Sequence, residues 1–566
     1  MTRGTRIVRN LLLIGPLVAV IAAGGVYAVW QFDPEPPPPP AGGGLVVVVV
    51  FDQMRGDYLE RFQSRFGPGG FERMKRDGVW YADAHLPYAP TATGSGHASI
   101  STGLAPDKHG IIENAWYDRK QGKTVYAVTG DRRYDRVPAG PSPGVRLPDG
   151  GGLAPDRLLA PTVGDAATAA GGKVVSLSIK DRAAVLLGGK KPTACYCFDT
   201  ATGEFHTSDY YRDTPHQWVT AFNASKAADR WTGQAWQPLD GPAPAGPDDA
   251  PGEATPLGTR TFPHALPAAT DGKYYAALEN TPFANELLWE LAREAIEAEA
   301  LGRNSTPDLL LISFSANDVI GHAYGPDSHE VADATARADQ LIAGLIDHLN
   351  TRVGSGRWTL VVTSDHGICP LPEAAAGHPT AERFHPGEVT DGLAAVLDER
   401  FGRPDGQAGK WVEKVDWPWV YFNQTLLAAE DVPPRAMEEA AAQWCAHRPR
   451  LVQAAYTRSE LAGPPLTEPV ARRVQRGFHP GRSGDVYILA SPYTLPMGKG
   501  SVGTTHGTPH DYDTHVPVLA FGHGVPRLGR RPEAADALIV AALAAKMLGV
   551  APPGGAATLP AELSGE

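Results

Sequence analysis

Cysteine is scarce in this chain, with four residues in 566. That is too few for a disulfide framework. Cys195 and Cys197 form one close pair while Cys369 and Cys445 stand alone, so a cysteine-ligated zinc site is disfavoured. The expected state is buried thiols with at most one bridge. Basic charge is also short: 51 Lys and Arg face 63 Asp and Glu, for a formal net charge of −12. A nucleic-acid binder would carry a basic face, so nucleic acid is not an expected partner. Small anionic substrates are not excluded, because a metal site supplies positive charge locally. An apolar run near membrane-spanning length occurs once, at the N-terminus, and there is no internal repeat.

That run is a targeting segment. Arg3, Arg6 and Arg9 precede an uncharged stretch from Leu11 to Trp30, the arrangement of an export signal. Small residues at its end (Ala22, Ala23, Gly24, Gly25, Ala28) suit signal cleavage, while its length suits an uncleaved anchor. Residues 1–32 are therefore read as signal peptide or anchor, and 33–44 as a Pro- and Gly-rich linker. The protein is expected to be exported, to the periplasm or beyond or held at the inner membrane, and to be a monomer. A catalytic domain then spans about 45–560.

Short runs rich in β-branched residues read as buried strands of a parallel sheet: Leu45–Phe51, Val174–Ile179, Leu309–Phe314, Leu360–Thr363 and Val516–Phe521. Helical patterns lie between them, at Asn285–Ala300 and Glu330–Leu349. The fold class is α/β, a doubly wound, mostly parallel sheet with helices on both faces. Two stretches break the rhythm and read as inserted cap elements, at about 210–272 and 383–489. The second includes a helix at Pro434–His447.

Open parallel sheets bind ligands beyond the carboxyl ends of their strands. Asp52 follows the first strand, Lys180 and Arg182 the second, Asp318 and His322 the third, and Asp365 and His366 the fourth; His506 precedes the fifth. Three aspartates and three histidines split into two three-ligand sets with open positions. Nitrogen and oxygen donors suit zinc, with manganese or iron as alternatives. Two metals about 4 Å apart hold the attacking and leaving oxygens of an in-line phosphoryl transfer. A nucleophile is available in Pro90-Thr91-Ala92-Thr93-Gly94-Ser95-Gly96-His97, hydroxyls at a helix N-terminus where an anion is favoured. Local chemistry does not choose among Thr91, Thr93 and Ser95.

These segments, with Asp52-Gln53-Met54-Arg55, Asn114-Ala115-Trp116-Tyr117-Asp118, Ser178-Ile179-Lys180-Asp181-Arg182, Asp318-Val319-Ile320-Gly321-His322, Asp365-His366-Gly367 and Gly503-Thr504-Thr505-His506-Gly507, follow one order. In that order the chain resembles the alkaline phosphatase superfamily, in particular its threonine-dependent, phosphate-irrepressible bacterial members, from about Leu45 to Gly524. The resemblance implies Thr93 as nucleophile, and Asp52, Asp365 and His366 as ligands of one zinc, with Thr93 the fourth. It implies Asp318, His322 and His506 for a second zinc, and Asn114, Lys180 and Arg182 as phosphate contacts. Without it, Lys180 and Arg182 read as solvated charges past a strand. With it, the pair marks small phosphate monoesters as substrates, because a monoester dianion carries a charge that a diester lacks. The rival readings are a phosphodiesterase or nucleotide pyrophosphatase of the same superfamily, and a non-catalytic, membrane-anchored binder of metal and phosphate. An additional calcium in the Asp- and Gly-rich stretches is left open.

Overall fold

A computed structural model describes residues 43–130, 132–140, 152–375, 377–404 and 409–564. The expected signal segment lies outside them, as does nearly all of the linker. Among the described residues no helix is long and apolar enough to cross a membrane.

The organising element is a ten-stranded sheet. Its strands are β1 (Leu45–Phe51), β2 (Val79–His85), β3 (Arg136–Val137), β4 (Val174–Ser178), β5 (Ala194–Asp199), β6 (Glu204–Ser208), β7 (Asp308–Phe314), β8 (Trp358–Thr363), β9 (Val518–Gly522) and β10 (Gly529–Asp536). They lie in the order β10-β2-β9-β8-β1-β7-β4-β5-β6-β3. The central five, β8-β1-β7-β4-β5, are parallel throughout.

The sequence of β1, Leu-Val-Val-Val-Val-Val-Phe, is apolar at every position because both faces of the sheet are covered. Side chains alternate across a strand. Val47, Val49 and Phe51 pack with Leu310 and Ile312 against the helices Phe283–Ala298 and His329–Leu349. Val46, Val48 and Val50 join Leu309 and Leu311 on the opposite face, against the helix Ile539–Leu548. Asp52 is thus carried to the strand's carboxyl end on a fully buried, two-sided support.

One strand runs against expectation. The segment expected at Val516–Phe521 begins two residues later, and β9 is antiparallel to both β8 and β2. Pro517 has no N–H to donate to a ladder, so it separates the continuous strand from an isolated bridge between His515 and His85. Strand direction is set by how the connections run, which an apolar run does not encode. The helices begin and end within a few residues of the expected boundaries, at Phe283–Ala298, His329–Leu349 and Pro434–Ala446.

Residues 412–490 build a second, four-stranded sheet from Val412–Asp416, Trp419–Phe422, Val486–Ala490 and Val452–Thr457. One face packs under the helices Pro386–Phe401 and Pro434–Ala446 through Val420, Phe422, Ile488 and Met437. The other face holds Trp419, Tyr421 and Leu489 against Phe478 and Tyr117. Along the chain, Tyr117 follows closely on Asn114. The stretch 210–272 forms short helices and a two-stranded ribbon of Ala235–Trp236 and His264–Ala265. All four cysteines are buried free thiols.

The two-sided burial of the central strands has a measurable consequence. Leu310→Ala should lower unfolding free energy by about 3 kcal/mol in urea denaturation. A loss below about 1 kcal/mol would contradict full packing at that position.

Candidate active site

Four adjacent parallel strands deliver their next residues to one edge: Ser364 to His366 from β8, Asp52 from β1, Ser315 onward from β7 and Lys180 from β4. Asp318 and His322 lie on a helix, Ala316–Tyr324, and His322 Nε2 stands 3.2 Å from Asp318 Oδ1. Their four-residue spacing places them on one helical face. Gly321 sits between them because a Cβ there would lie 1.8 Å from Gln53 Oε1. That clearance admits the Gln53 side chain, whose Nε2 donates to Asp318 Oδ1 at 2.6 Å. The Gln53 N–H donates to Asp365 Oδ1 at 3.1 Å. Gln53 holds a left-handed backbone with φ 70°, a conformation that costs a residue with a Cβ roughly 1 kcal/mol or more. One residue thus orients two aspartates.

The histidines share one arrangement. Nδ1 of His322 faces the carbonyl of Thr504 at 2.7 Å, that of His506 faces Thr91 O at 2.6 Å, and that of His366 faces Gly367 O at 3.0 Å. A carbonyl only accepts, so each Nδ1 carries a proton, and Nε2 is the ring atom left to meet a ligand. Those Nε2 atoms face carboxylates. His366 Nε2 lies 3.6 Å from Asp52 Oδ1 and 3.4 Å from Asp365 Oδ2, and His506 Nε2 lies 3.8 Å from Asp318 Oδ1. Nitrogen and carboxylate donors converging in a buried site suit a bound cation, and backbone-anchored imidazoles are how proteins orient metal ligands.

The carboxylates support this. Asp52 and Asp365 are fully buried, and Asp52 Oδ1, Asp52 Oδ2 and Asp365 Oδ2 accept no hydrogen bond. Lys180 Nζ reaches Asp52 Oδ2 at 2.8 Å as an ion pair without hydrogen-bond alignment, and it donates to Asp318 Oδ2. Burial pushes the Asp52 carboxyl up to about 6, with Asp365 adding to the rise and Lys180 opposing it. Burial acts upward on Asp318 and Asp365 too. There His322 and Lys180 hold Asp318 well below the carboxylate range, and His366 and His97 hold Asp365 low.

Ligand atoms of Asp52, Asp365 and His366 all lie within 4.8 Å of one another, as do those of Asp318, His366 and His506. The expected second set had His322 in place of His366. His366 belongs geometrically to both sets because its ring stacks on His506 at 3.6 Å, while His322 is closest to Asp318. Both groups belong to this one site; the Asp- and Gly-rich stretch contributes to neither. The donors, all nitrogen and oxygen, fit one or two divalent cations of the zinc type.

The three candidate hydroxyls differ in what they touch. Thr91 Oγ1 donates to Thr508 O at 3.1 Å. Ser95 Oγ donates to Ala92 O at 3.0 Å and accepts the Ala92 N–H at 3.2 Å, capping the helix. Thr93 Oγ1 instead stands 3.5 Å from His366 Nε2. Thr93 opens the buried helix Thr93–Thr102, in which Gly96 is needed because a Cβ there would meet Asp365 O at 2.5 Å. His97 sits beneath, with Nδ1 at 2.8 Å from Thr93 O and 3.1 Å from Asp365 Oδ2. Asn114 accepts the Gly94 N–H on Oδ1 at 2.7 Å, which fixes its amide and leaves Nδ2 as the donor end. Arg182 is anchored less directly: its Nη1 donates to Tyr126 Oη at 3.4 Å, and Tyr126 donates to Asp181 Oδ1 at 2.7 Å. Gln53, His97 and Tyr126 had no role assigned from sequence; Gln53 and His97 were visible only as members of motifs.

A sheet whose central strands end in this constellation is matched by one family. Residues 46–513 fit the profile described as type I phosphodiesterase / nucleotide pyrophosphatase, and the chain belongs to that family. Within it the chain is a phosphatase of the alkaline phosphatase kind. It is 32% identical over 84% of its length to alkaline phosphatase PafA of Elizabethkingia meningoseptica, covering 86% of that protein. It is 31% identical to alkaline phosphatase PhoV of Synechococcus elongatus, with 84% of each chain covered. A crystal structure of PafA superposes with TM-score 0.82 at 30% identity, covering 93% of this chain and 98% of that one. That PafA is a variant with one threonine changed to serine and one asparagine, one lysine and one arginine changed to alanine. Its threonine and asparagine lie 21 residues apart and its lysine and arginine two apart. Thr93 and Asn114, and Lys180 and Arg182, have the same separations.

Because Gln53 orients aspartates from both candidate sets, Gln53→Ala should weaken divalent-metal affinity about ten- to a hundredfold. Competition against a chromophoric chelator measures this. Unaltered affinity would remove Gln53 from the support of the site.

Proposed function

We propose that the protein is a zinc-dependent alkaline phosphatase that hydrolyses phosphate monoesters through a phosphothreonine at Thr93. The observation that carries this reading is the position of the Thr93 hydroxyl beside His366 while Thr91 and Ser95 are engaged by backbone. The matching separations of threonine, asparagine, lysine and arginine in PafA support it.

Asp52, Asp365 and His366 would hold one zinc beside Thr93; Asp318, His322 and His506 would hold the other. Zinc bound there supplies Lewis acidity, which favours the threonine alkoxide and offsets charge on a departing oxygen. Thr93 then attacks phosphorus in line, and the ester oxygen leaves on the opposite side, toward His322 and His506. Water entering from that vacated side hydrolyses the phosphothreonine. Asn114 Nδ2, Lys180 and Arg182 donate to the phosphoryl oxygens as charge redistributes. Lys180 stays protonated for this role: burial lowers its pKa, but Asp318 and Asp52 outweigh burial and raise it. Export through the N-terminal segment remains part of this reading.

Charge favours a monoester over a diester. Three aspartates, Lys180, Arg182 and two divalent cations leave about three positive charges, which a threonine alkoxide and a monoester dianion neutralise. A diester monoanion leaves one unmatched.

Thr93→Ala should keep its zinc and lose at least about a thousandfold in kcat/KM. Turnover near that of the parent would sink the assignment. Replacing Lys180 and Arg182 together by Ala should cost about a hundredfold or more on phenyl phosphate, and much less on its diester. Equal losses would refute the charge argument and favour the phosphodiesterase reading.

A further inference from the structure

A cavity of about 450 Å³ opens beside His322 and His506. Its far wall belongs to the second sheet and the loop after it, with Trp417, Pro418, Leu489, Leu495, Pro496 and Met497 among its lining residues. Thr93, Asp52, Asp365, Lys180 and Arg182 do not line it. The cavity therefore meets the site on one half only, the half away from the nucleophile. Its wall is chiefly apolar, and Trp417, Pro496 and Met497 are only half-buried, so apolar surface stays within reach of water beside a polar centre. The volume falls in the range of sites that enclose small organic molecules. The wall is also preformed. The Trp417 ring is braced edge-on by Phe384 at 5.2 Å, and Leu489 is buried in the second sheet.

An in-line displacement by Thr93 sends the ester oxygen and its substituent toward His322 and His506, which is where this cavity opens. We propose that the cavity is the subsite for the organic substituent of the ester. It selects monoesters of aromatic or bulky apolar alcohols over those of small alcohols, with Trp417 and Met497 as specificity-determining side chains. This rests on the monoesterase reading and names the substrate class within it. Glu113, also in the lining, is compatible with an anionic substrate nearby. Its Oε2 accepts the Asn114 N–H at 3.1 Å, and burial pushes its carboxyl up to about 8. A carboxyl raised in this way repels a nearby phosphate less than an ordinary glutamate would.

The test uses non-hydrolysable inhibitors of the zinc-loaded full chain: inorganic phosphate, methylphosphonate and 1-naphthylphosphonate. The naphthyl compound should bind at least about tenfold more tightly than methylphosphonate, as burial of one fused ring system implies. Trp417→Ala should shrink that ratio about tenfold and Met497→Ala a few-fold, while Trp417→Phe retains most of it. The ratio is internal to each protein, so partial loss of folded enzyme does not mimic the effect. A parent enzyme without naphthyl preference, or a ratio unchanged in both alanine variants, overturns the subsite. Inhibition by inorganic phosphate and turnover of methyl phosphate report separately on the monoesterase. If both are absent, that underlying reading fails; if both are present without naphthyl preference, only the subsite does.

Discussion

Three buried carboxylates at the ends of neighbouring strands are the constraint from which the rest of the site follows. Asp52, Asp318 and Asp365 are all nearly or wholly inaccessible, and Gln53 and Lys180 link them in pairs. Two like charges 4 Å apart repel by about 4 kcal/mol even at an effective dielectric of 20, and desolvation adds to that. One ammonium offsets a single charge. The raised pKa of Asp52 marks where compensation runs out. A fold keeps such a cluster when cations complete it, and the backbone-anchored imidazoles are already turned to share in holding them.

The surroundings trade local stability for close approach. The helix Thr93–Thr102 reads Thr-Gly-Ser-Gly-His-Ala-Ser-Ile-Ser-Thr, a poor helix former by propensity. Every residue in it is buried, so packing rather than propensity holds it. Its glycines let backbone come within contact of Asp365 and Asn114. The same trade appears at Gln53, whose positive φ turns its N–H toward one aspartate and its amide toward another. Rigid strands beneath β1 make these local costs tolerable, because displacement of Asp52 would require breaking a core packed from both sides.

What could be read from the sequence were the features whose physics is local. A strand covered on both faces must be apolar at every position, so β1, β4, β7 and β8 stood out, and the polar residues just beyond them formed the candidate site. The four-residue spacing of Asp318 and His322 suits one face of a helix, but nothing local encodes that Gly321 makes room for the Gln53 side chain. Features that depend on distant chain were not legible. The antiparallel direction of β9 is decided by its connections. The strands at Val412–Asp416 and Val452–Thr457 carry exposed and half-buried residues, so no apolar run announces them. Local chemistry left Thr91, Thr93 and Ser95 open and the family resemblance chose Thr93; that Thr508 O and the helix cap engage the other two hydroxyls depends on folded contacts that no spacing encodes.

The site is consequently assembled from parts with different degrees of freedom. The metal-binding half is tied to the ends of the central strands, where any shift is resisted by the whole sheet. Lys180 and Arg182 begin a helix whose start is fixed by β4, so the charges proposed to meet a phosphoryl group are held nearly as rigidly. The wall proposed to face a substituent belongs to the second sheet and its following loop, with a hydrophobic core of its own. Side chains there can vary without disturbing Asp52 or His366. A phosphoryl group has the same shape in every monoester, whereas the alcohol differs from one to the next. Building the first contact on the sheet and the second on an insertion places rigidity where the chemistry is constant and variability where it is not.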